Sequence, residues 1–575
     1  MLRYLRIPAG APLRAKARRQ AARAMAAAAD CRLAQRQTRD RILSLNQDSR
    51  FHGPRGLRGG MSTADFRAAI GICTYEDFRA AIDEVRGGDH AAFLGPGNRL
   101  LMFALSSGTT DASKYIPITG PFLSDYRRGW QVWGIQALDA RPASHVGHFF
   151  QIASDFDKFR TPAGVPCGNI SGLVQSIQSP VVRTMYSVPP SVMKITDPDA
   201  KYYTALRYGV ADRNVAVAMT ANPSTLVRLA EIVQERSEEL IRDLHDGTLA
   251  VRDEIPSALW SRYGRSFARR RRRRARQLEA AAKRGGGLRP ADFWPRLETL
   301  AVWTGGSCAA YLGPLRRVFP GIAIRDHGLS ASEGRMTIPV ADETPSGVLD
   351  VLSHYFEFIP EAEIESSTPT VLEAHELVVG QNYFILMTTP SGLLRYDIHD
   401  VVRCTGHHGT PGEGAPMLEF LHKGAYIASI TGEKVTESQV VRVVAEALGA
   451  STQTVLNFTL CPEWGDPPGY RLLFEESVAA AFGEAVVDGI DRRLKDVNEE
   501  YQEKRDTGRL AAIRPLPLPA GTWRKFMADR QSGPGGSAEQ YKHPCLQPSL
   551  EFLPAFRERY LERPARAREE APKPT

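Results

Sequence analysis

No stretch of about 18 consecutive apolar residues occurs in the 575-residue chain, which argues against a membrane-spanning helix. Cysteine is sparse and scattered. Cys31, Cys73, Cys167, Cys308, Cys404, Cys461 and Cys545 form no C-x-x-C pair and are odd in number, which argues against a disulfide scaffold or a zinc ribbon and fits a reducing cytoplasm. Acid is missing from the first 29 residues, where Arg is frequent; the charge alone resembles an organellar transit peptide, but the continuous apolar segment of a secretory signal is absent. This opening reads as a short tail leading into an amphipathic helix. No internal repeat is visible.

What is present is globular: 43% hydrophobic and 24% charged residues with a net charge of +8. At about 150 residues per domain, the length allows two to four structural units. Much of the basic excess sits in the first 24 residues and in the run Arg269 to Arg274. The run leads into ARQLEAAAKRGGG, so it reads as a solvated helix ending at the glycine triplet. No interleaved aromatics accompany it, and a nucleic-acid surface is not expected there.

Up to about residue 100 the pattern is helical, with caps at Thr63 and Thr74. Beyond it, VAVAMT, LAVWTGG, YFILMT and VVRCTG read as strands separated by helical stretches such as 223–246, which argues for an α/β fold. The loop HHGTPGEGAP and the segment LHKGAY after it look like a boundary, followed by enough strand and helix for a small second domain.

Chemistry concentrates in a few motifs. SSGTTDASKYIPIT, Ser106 to Thr119, follows the apolar run LLMFAL; hydroxyls, backbone N–H groups and an ammonium together suit phosphate oxygens. It is no Walker loop, because the G-K-[ST] ending is missing. A Ser/Thr turn without a ligand has the same composition. In VWTGGSCAAYLGPLRRVFPGIAIRDHGLSASEG, glycines at 305 and 306 let backbone approach a flat base, and Glu333 is a carboxylate able to hold Mg²⁺. In SGLLRYDIHDVVRCTG, Asp400 sits where a carboxylate can accept both hydroxyls of a ribose, or simply cap a turn. His145 with His148, and His407 with His408, lack a companion carboxylate or cysteine at ligand spacing. Trp130, Trp133, Phe149 and Phe150 could wall an acyl pocket, although such residues are more often core.

The ordered set SSGTTDASK, TGG, SASEG, YFEFIP, VVGQNYFILMTTPSGLLRYDIHDVVR, GEKVTE and GGSAEQYKHP resembles the auxin-responsive Gretchen Hagen three family of acyl acid amido synthetases, over about residues 50 to 553. The resemblance implies the adenylate-forming fold shared with firefly luciferase and acyl-CoA synthetases: a large N-terminal α/β domain of sheets flanked by helices with a β-barrel-like subdomain, and a smaller mobile C-terminal α/β domain. The corresponding boundaries are 1–421, a hinge at 422–430, and 431–575. It implies ATP and Mg²⁺, a carboxylic acid activated as acyl-AMP with release of pyrophosphate, and transfer of the acyl group to an amino acid. It also implies small-molecule partners only, a monomer and a cytoplasmic location.

By the same resemblance Ser106, Ser107, Gly108, Thr109, Thr110 and Lys114 cradle the phosphates. Thr304, Gly305, Gly306 and Ser332 border the nucleotide, Glu333 binds Mg²⁺ and Asp400 holds the ribose. Lys423 stands in the hinge, and Lys434 and Lys542 bring ammonium groups, Lys542 being the adenylation lysine. The chain departs from the family pattern at Leu329, where a tyrosine is usual, at Asp397 and His399, at His422 with Lys423 in place of a hinge arginine, and at Cys545. These departures bear on nucleotide affinity and on the amine accepted. Rival readings are an adenylating enzyme with a thiol acceptor, a catalytically impaired member, and a basic binding protein using the arginine run.

Overall fold

The computed structural model describes residues 6–106, 114–364, 366–424, 427–448, 457–532 and 541–561. The chain divides into two compact units. One comprises Met1–Gly305 and Leu315–Leu421; the other comprises Gly306–Pro314, His422–Gly533 and Tyr541–Thr575.

In the first unit, the opening forms a helix already at Arg6–Ala29 rather than a tail. The helix Tyr75–Gly87 shows why such segments fold as they do. Its buried residues Tyr75, Phe78, Ala81, Ile82 and Val85 recur at helical spacing, the Thr74 amide donates to the Asp77 carboxylate at 2.7 Å, and Gly88 closes it with φ +111°. The cap of the preceding helix, Thr63–Ala69, is Ser62 and not Thr63, because it is the Ser62 hydroxyl that accepts from the Asp65 amide at 3.0 Å. Residues 223–246 form two helices, Pro223–Glu235 and Ser237–Asp246.

Three sheets of four or more strands organise the described residues of this unit. Leu100–Ser106 pairs antiparallel with Lys114–Thr119, and Ser106 stands opposite Lys114, so residues 107–113 connect two hydrogen-bonded strand ends. A parallel sheet runs in the order His148–Gln151, Val215–Met219, Thr299–Val302, Ala323–Asp326, each strand returning through intervening helical segments. In its last pair Val302 lies opposite Asp326, which places the carboxyl ends of two neighbouring strands side by side. The third sheet is antiparallel, seven-stranded and curled as a half-barrel, with Tyr396–His408 between Ala415–Lys423 and Asn382–Thr388. The polar loop expected as a boundary is the turn between two neighbouring strands of this sheet, Tyr396–His408 and Ala415–Lys423. The unit boundary falls after it, at Leu421 and His422. Ile42, Phe78, Phe103, Phe356 and Tyr396 share one core in which the helices meet two of the sheets; each large apolar side chain removed from water contributes about 1.5–3 kcal/mol.

The second unit is also α/β. Phe458–Glu463, Gly469–Glu475 and Arg514–Leu518 form its sheet, and Glu437–Leu448 and Glu484–Val497 supply Val440, Val444 and Ile490 to the core that includes Leu460 and Leu472. The helix Glu484–Val497 gives way at Asn498, whose side chain accepts from the Tyr501 amide and caps a new helix, Glu499–Asp506.

The arginine run opens the helix Arg272–Gly285, which ends at left-handed Gly286. Arg269 to Arg273 are exposed, but Arg274 turns inward and donates to the carbonyls of Val210 and Phe293 at 2.8 and 2.7 Å. No helix among the described residues is long and apolar enough to cross a membrane.

Candidate nucleotide site

The carboxyl ends of the parallel strands and the Leu100–Ser106 strand gather most of the expected residues of the first unit. Ser330–Ala331 and Gly334–Arg335 pair as a minimal hairpin, so Ser332 and Glu333 occupy its two-residue turn. The Ser332 hydroxyl donates to the Leu105 carbonyl at 3.2 Å, which ties that turn to the strand feeding the hydroxyl-rich segment. Ser107, Gly108, Thr109 and Thr110 lie outside the described residues, as does the side chain of Ser106.

Tyr396 is where the polar groups meet. Its hydroxyl accepts from Lys114 Nζ at 3.2 Å, and the same ammonium lies 5.7 and 5.8 Å from the ring centres of Tyr75 and Tyr396. Burial raises the Tyr396 phenol far above its ordinary value, and the carboxylates of Glu333, Asp397 and Asp400 push it the same way. Thus Glu333, Asp400 and Lys114, which are 219, 286 and 67 residues apart in pairs along the chain, act on one hydroxyl. Asp400 and Glu333 are buried at 3% and 7% exposure. Tyr396 was not among the expected site residues; it lies four positions before Asp400 in the same strand, and only the fold shows Lys114 reaching it.

Asp326 was also missed. Its side chain accepts the Thr304 amide at 2.5 Å, the Thr304 hydroxyl at 2.6 Å and the Gly328 amide at 2.6 Å, so one carboxylate holds the turn after one strand and the start of the segment leading to Glu333. The glycine after Thr304 is needed for close packing: a Cβ on Gly305 would come within 3.1 Å of the Phe420 carbonyl oxygen and 3.3 Å of Pro345 Cβ. Gly306 has φ +57° and belongs to the second unit. Leu329, in place of the usual tyrosine, is half-buried and its amide donates to Thr337 Oγ1 at 2.8 Å.

Burial raises the Asp326 carboxyl from 3.8 to about 6, partly offset by its hydrogen bonds from Thr304 and Gly328. Between these values the folded chain holds a proton that the unfolded chain has released, so Asp326 lowers stability as pH rises through pH 4 to 6. Asparagine at 326 does not titrate. The stability of wild type relative to Asp326→Asn should therefore decline between pH 4 and 6.5 by on the order of 3 kcal/mol, read from urea midpoints. A constant difference across that range would mean that the carboxyl does not titrate there.

The remaining expected residues lie in the second unit. Lys434 is exposed and has φ +44°, beside Glu433, which is buried and accepts from the amides of Ile430 and Thr431 at 2.8 Å. Lys423 is half-buried at the end of its strand, and its carbonyl lies 3.2 Å from His422 Nδ1. Lys542 is exposed on a segment laid along the strand Phe458–Glu463. Cys545, in place of an arginine, is buried, and its amide donates to Glu437 at 2.8 Å.

Phe150 is fully buried against Trp294, whereas Trp130 and Phe149 are half-buried. His145 Nε2 lies 2.8 Å from Asp139, and His148 pairs with Asp212.

Comparison with known proteins agrees along nearly the whole chain. Residues 21–324 match the GH3 family N-terminal domain, 347–423 the GH3 family central domain and 438–551 the GH3 family C-terminal domain. The chain is 23% identical over 541 residues to the indole-3-acetic acid-amido synthetase GH3.3 of Arabidopsis thaliana, covering 89% of each chain. It is 25% identical over 537 residues to the jasmonoyl-L-amino acid synthetase JAR4 of Nicotiana attenuata, covering 90% of this chain and 91% of that one. Its fold is similar to that of the GH3.15 acyl acid amido synthetase, with a TM-score of 0.77 at 21% identity over 93% of this chain and 95% of the other. AtGH3.15 in complex with 2,4-DB gives 0.79 at 20% identity over 95% and 96%. With three consecutive family domains matched in order, the chain belongs to the GH3 family of acyl acid amido synthetases.

Proposed function

We propose that this protein is an ATP- and Mg²⁺-dependent ligase that activates a carboxylic acid as its acyl adenylate and passes the acyl group to the amine of an amino acid. One observation carries the reading: Lys114 donates to the Tyr396 hydroxyl, which the charges of Glu333 and Asp400 also reach, and Ser332 anchors the Glu333 turn to the strand entering the hydroxyl-rich segment. A phosphate-facing cation, an acid and a ribose-holding acid are what a nucleotide needs within its own length.

A carboxylate resists attack because addition places charge on an already anionic group and would expel oxide. Conversion to a mixed anhydride gives the carbonyl a leaving group, AMP, and leaves the protein to position reactants and neutralise charge. We assign Lys114 and residues 106–110 to the phosphates, Thr304 and Gly305 to the base, and Asp400 to the ribose. Glu333 is a fitting Mg²⁺ ligand, since this ion commonly takes one or two carboxylates with water and substrate phosphate; when bound, the ion screens the phosphate charge. Lys542, Lys434 and Lys423 act from the second unit. We assign residues 431–575 as the domain that turns about a hinge at 422–430, so that Lys542 meets the charge developing on phosphorus and then withdraws.

ATP–pyrophosphate exchange across a panel of acids, including indole-3-acetic and jasmonic acids, tests the first step, and mass spectrometry with mixed amino acids tests the second. Acid-dependent exchange together with an N-acyl amino acid is the expected result. Exchange with thioester and no amide would make the acceptor a thiol, and no exchange with any acid would overturn adenylation itself.

A further inference from the structure

Arg335 is fully buried, with 0% exposure. It lies two positions beyond Glu333, in the hairpin whose turn carries that acid. Its Nη2 donates to the carbonyl of His327, the residue after Asp326. Nε and Nη1 have no hydrogen-bond partner, although neither is reached by solvent. Asp350, whose charge reaches the guanidinium, is engaged elsewhere: it accepts from Ser353 Oγ and lies 3.6 Å from Arg128 Nη2.

Room for this side chain is built into the neighbouring helix. Gly120–Ala140 follows directly on the strand that begins at Lys114, and it passes Arg335 at Gly129, where a Cβ would come within 2.7 Å of Arg335 Cδ. One residue on, the centre of the Trp130 ring lies 4.4 Å from the guanidinium carbon. Trp130 is half-buried, so the side chain that covers the guanidinium on this side also meets solvent.

A buried ion with donors left over is costly, because its removal from water is repaid only when both its charge and its N–H groups find partners. Burial lowers the guanidinium to about 10, so it is still a cation at neutral pH. The face of Trp130 answers part of that charge and none of the N–H groups. A carboxylate answers both, and its shape matches a guanidinium. Of the molecules that the ligase reaction takes up, the acid is the one that brings carboxylate chemistry to the Glu333 hairpin. Its reacting carboxylate must be given up to phosphorus, so the group that stays with Arg335 is a second one.

We propose that Arg335 sets the choice of acid: the preferred substrate carries a second carboxylate, held by the free N–H groups of Arg335 beside Trp130 while the first is adenylated; this rests on the ligase reading above. The product is then an N-acyl amino acid that keeps a free carboxylate on its acyl part.

ATP–pyrophosphate exchange by the full-length protein with matched acids provides the test, adipate against hexanoate and isophthalate against benzoate. Wild type should show a kcat/KM at least about tenfold higher for the dicarboxylate of one pair or both, the worth of one charge-assisted contact. Arg335→Met should lose that preference and keep its exchange with the matched monocarboxylate. An apolar side chain of similar volume commonly replaces a buried ion without loss of the fold, and the ratio between two acids within one variant does not depend on how much of it is folded. Arg335→Lys, which keeps the charge without the planar fork, should retain part of the preference. A wild type that treats both pairs alike or favours the monocarboxylates would overturn the proposal, as would an Arg335→Met variant that keeps the preference. Equal losses with both members of a pair would make Arg335 a support for the hairpin or a partner of the reacting carboxylate, and would overturn it too. No exchange with any acid would instead remove the ligase reading beneath it.

Discussion

Replacing Lys542 by alanine is expected to lower acid-dependent ATP–pyrophosphate exchange by about 10³-fold and to change ATP affinity by less than about threefold, the signature of a group felt mainly in the transition state. The side chain is exposed, and the segment that carries it is fixed through its backbone. Thr459 Oγ1 donates to the Pro544 carbonyl at 2.8 Å, Cys545 and Leu546 lie alongside Leu460, and the Gln547 amide donates to the Leu460 carbonyl at 2.8 Å. Glu437 holds the Cys545 amide from the start of the helix Glu437–Leu448. Lys542 is thus a cation on an edge of the second unit fixed through its backbone, where its charge also acts on the buried Glu437 carboxyl. An exchange rate equal to wild type would remove its role in adenylation; a matching loss of ATP binding would move that role to the ground state.

The second large effect is at Asp400. Its carboxylate is buried, and if it accepts both ribose hydroxyls, each charge-assisted bond is worth about 1.5–3 kcal/mol. Asp400→Ala should then raise the Kd for ATP by at least about 100-fold. Because Asp400 also lies in the bulge that the strand Tyr396–His408 makes between Asp397 and Val401, loss of affinity alone would not separate contact from collapse. Comparison of ATP with its 2′,3′-dideoxy analogue makes the separation as a double-mutant cycle. Wild type should prefer ATP strongly, and Asp400→Ala should bind both alike. A variant that still discriminates between them would show that the ribose is held elsewhere.

Much of this molecule is legible along the chain because the forces that shape it are local. Thr74, the spaced apolar residues of Tyr75–Gly87 and Gly88 mark that helix without reference to anything distant. The apolar runs at 215–219, 299–302 and 382–388 mark strands for the same reason. Other local signals have two physical solutions, and only tertiary pairing chooses between them. HHGTPGEGAP has the composition of a linker and equally of a hairpin turn, and pairing between its flanking strands decides for the turn. Asn498 is equally a residue within a helical pattern and an N-cap, and its bond from the Tyr501 amide decides for the cap. Arg274 is indistinguishable from its neighbours in RRRRRR, yet it alone of that run turns its guanidinium onto the carbonyls of Val210 and Phe293.

By itself the sequence determined the family, through the order of its motifs, and the chemical types available: hydroxyls at 106–110, acids at 333 and 400, lysines at 114 and 542. Tertiary structure alone decided that Lys114 and the two acids act on the Tyr396 hydroxyl, that Asp326 clasps Thr304 and Gly328, and that the Asp397 carboxylate accepts the His399 amide at 2.7 Å. Such partnerships depend on which strands lie side by side and where one of them bulges. Partnerships of this kind, whether between distant residues or within a bulge, leave no periodicity or spacing from which they could be read.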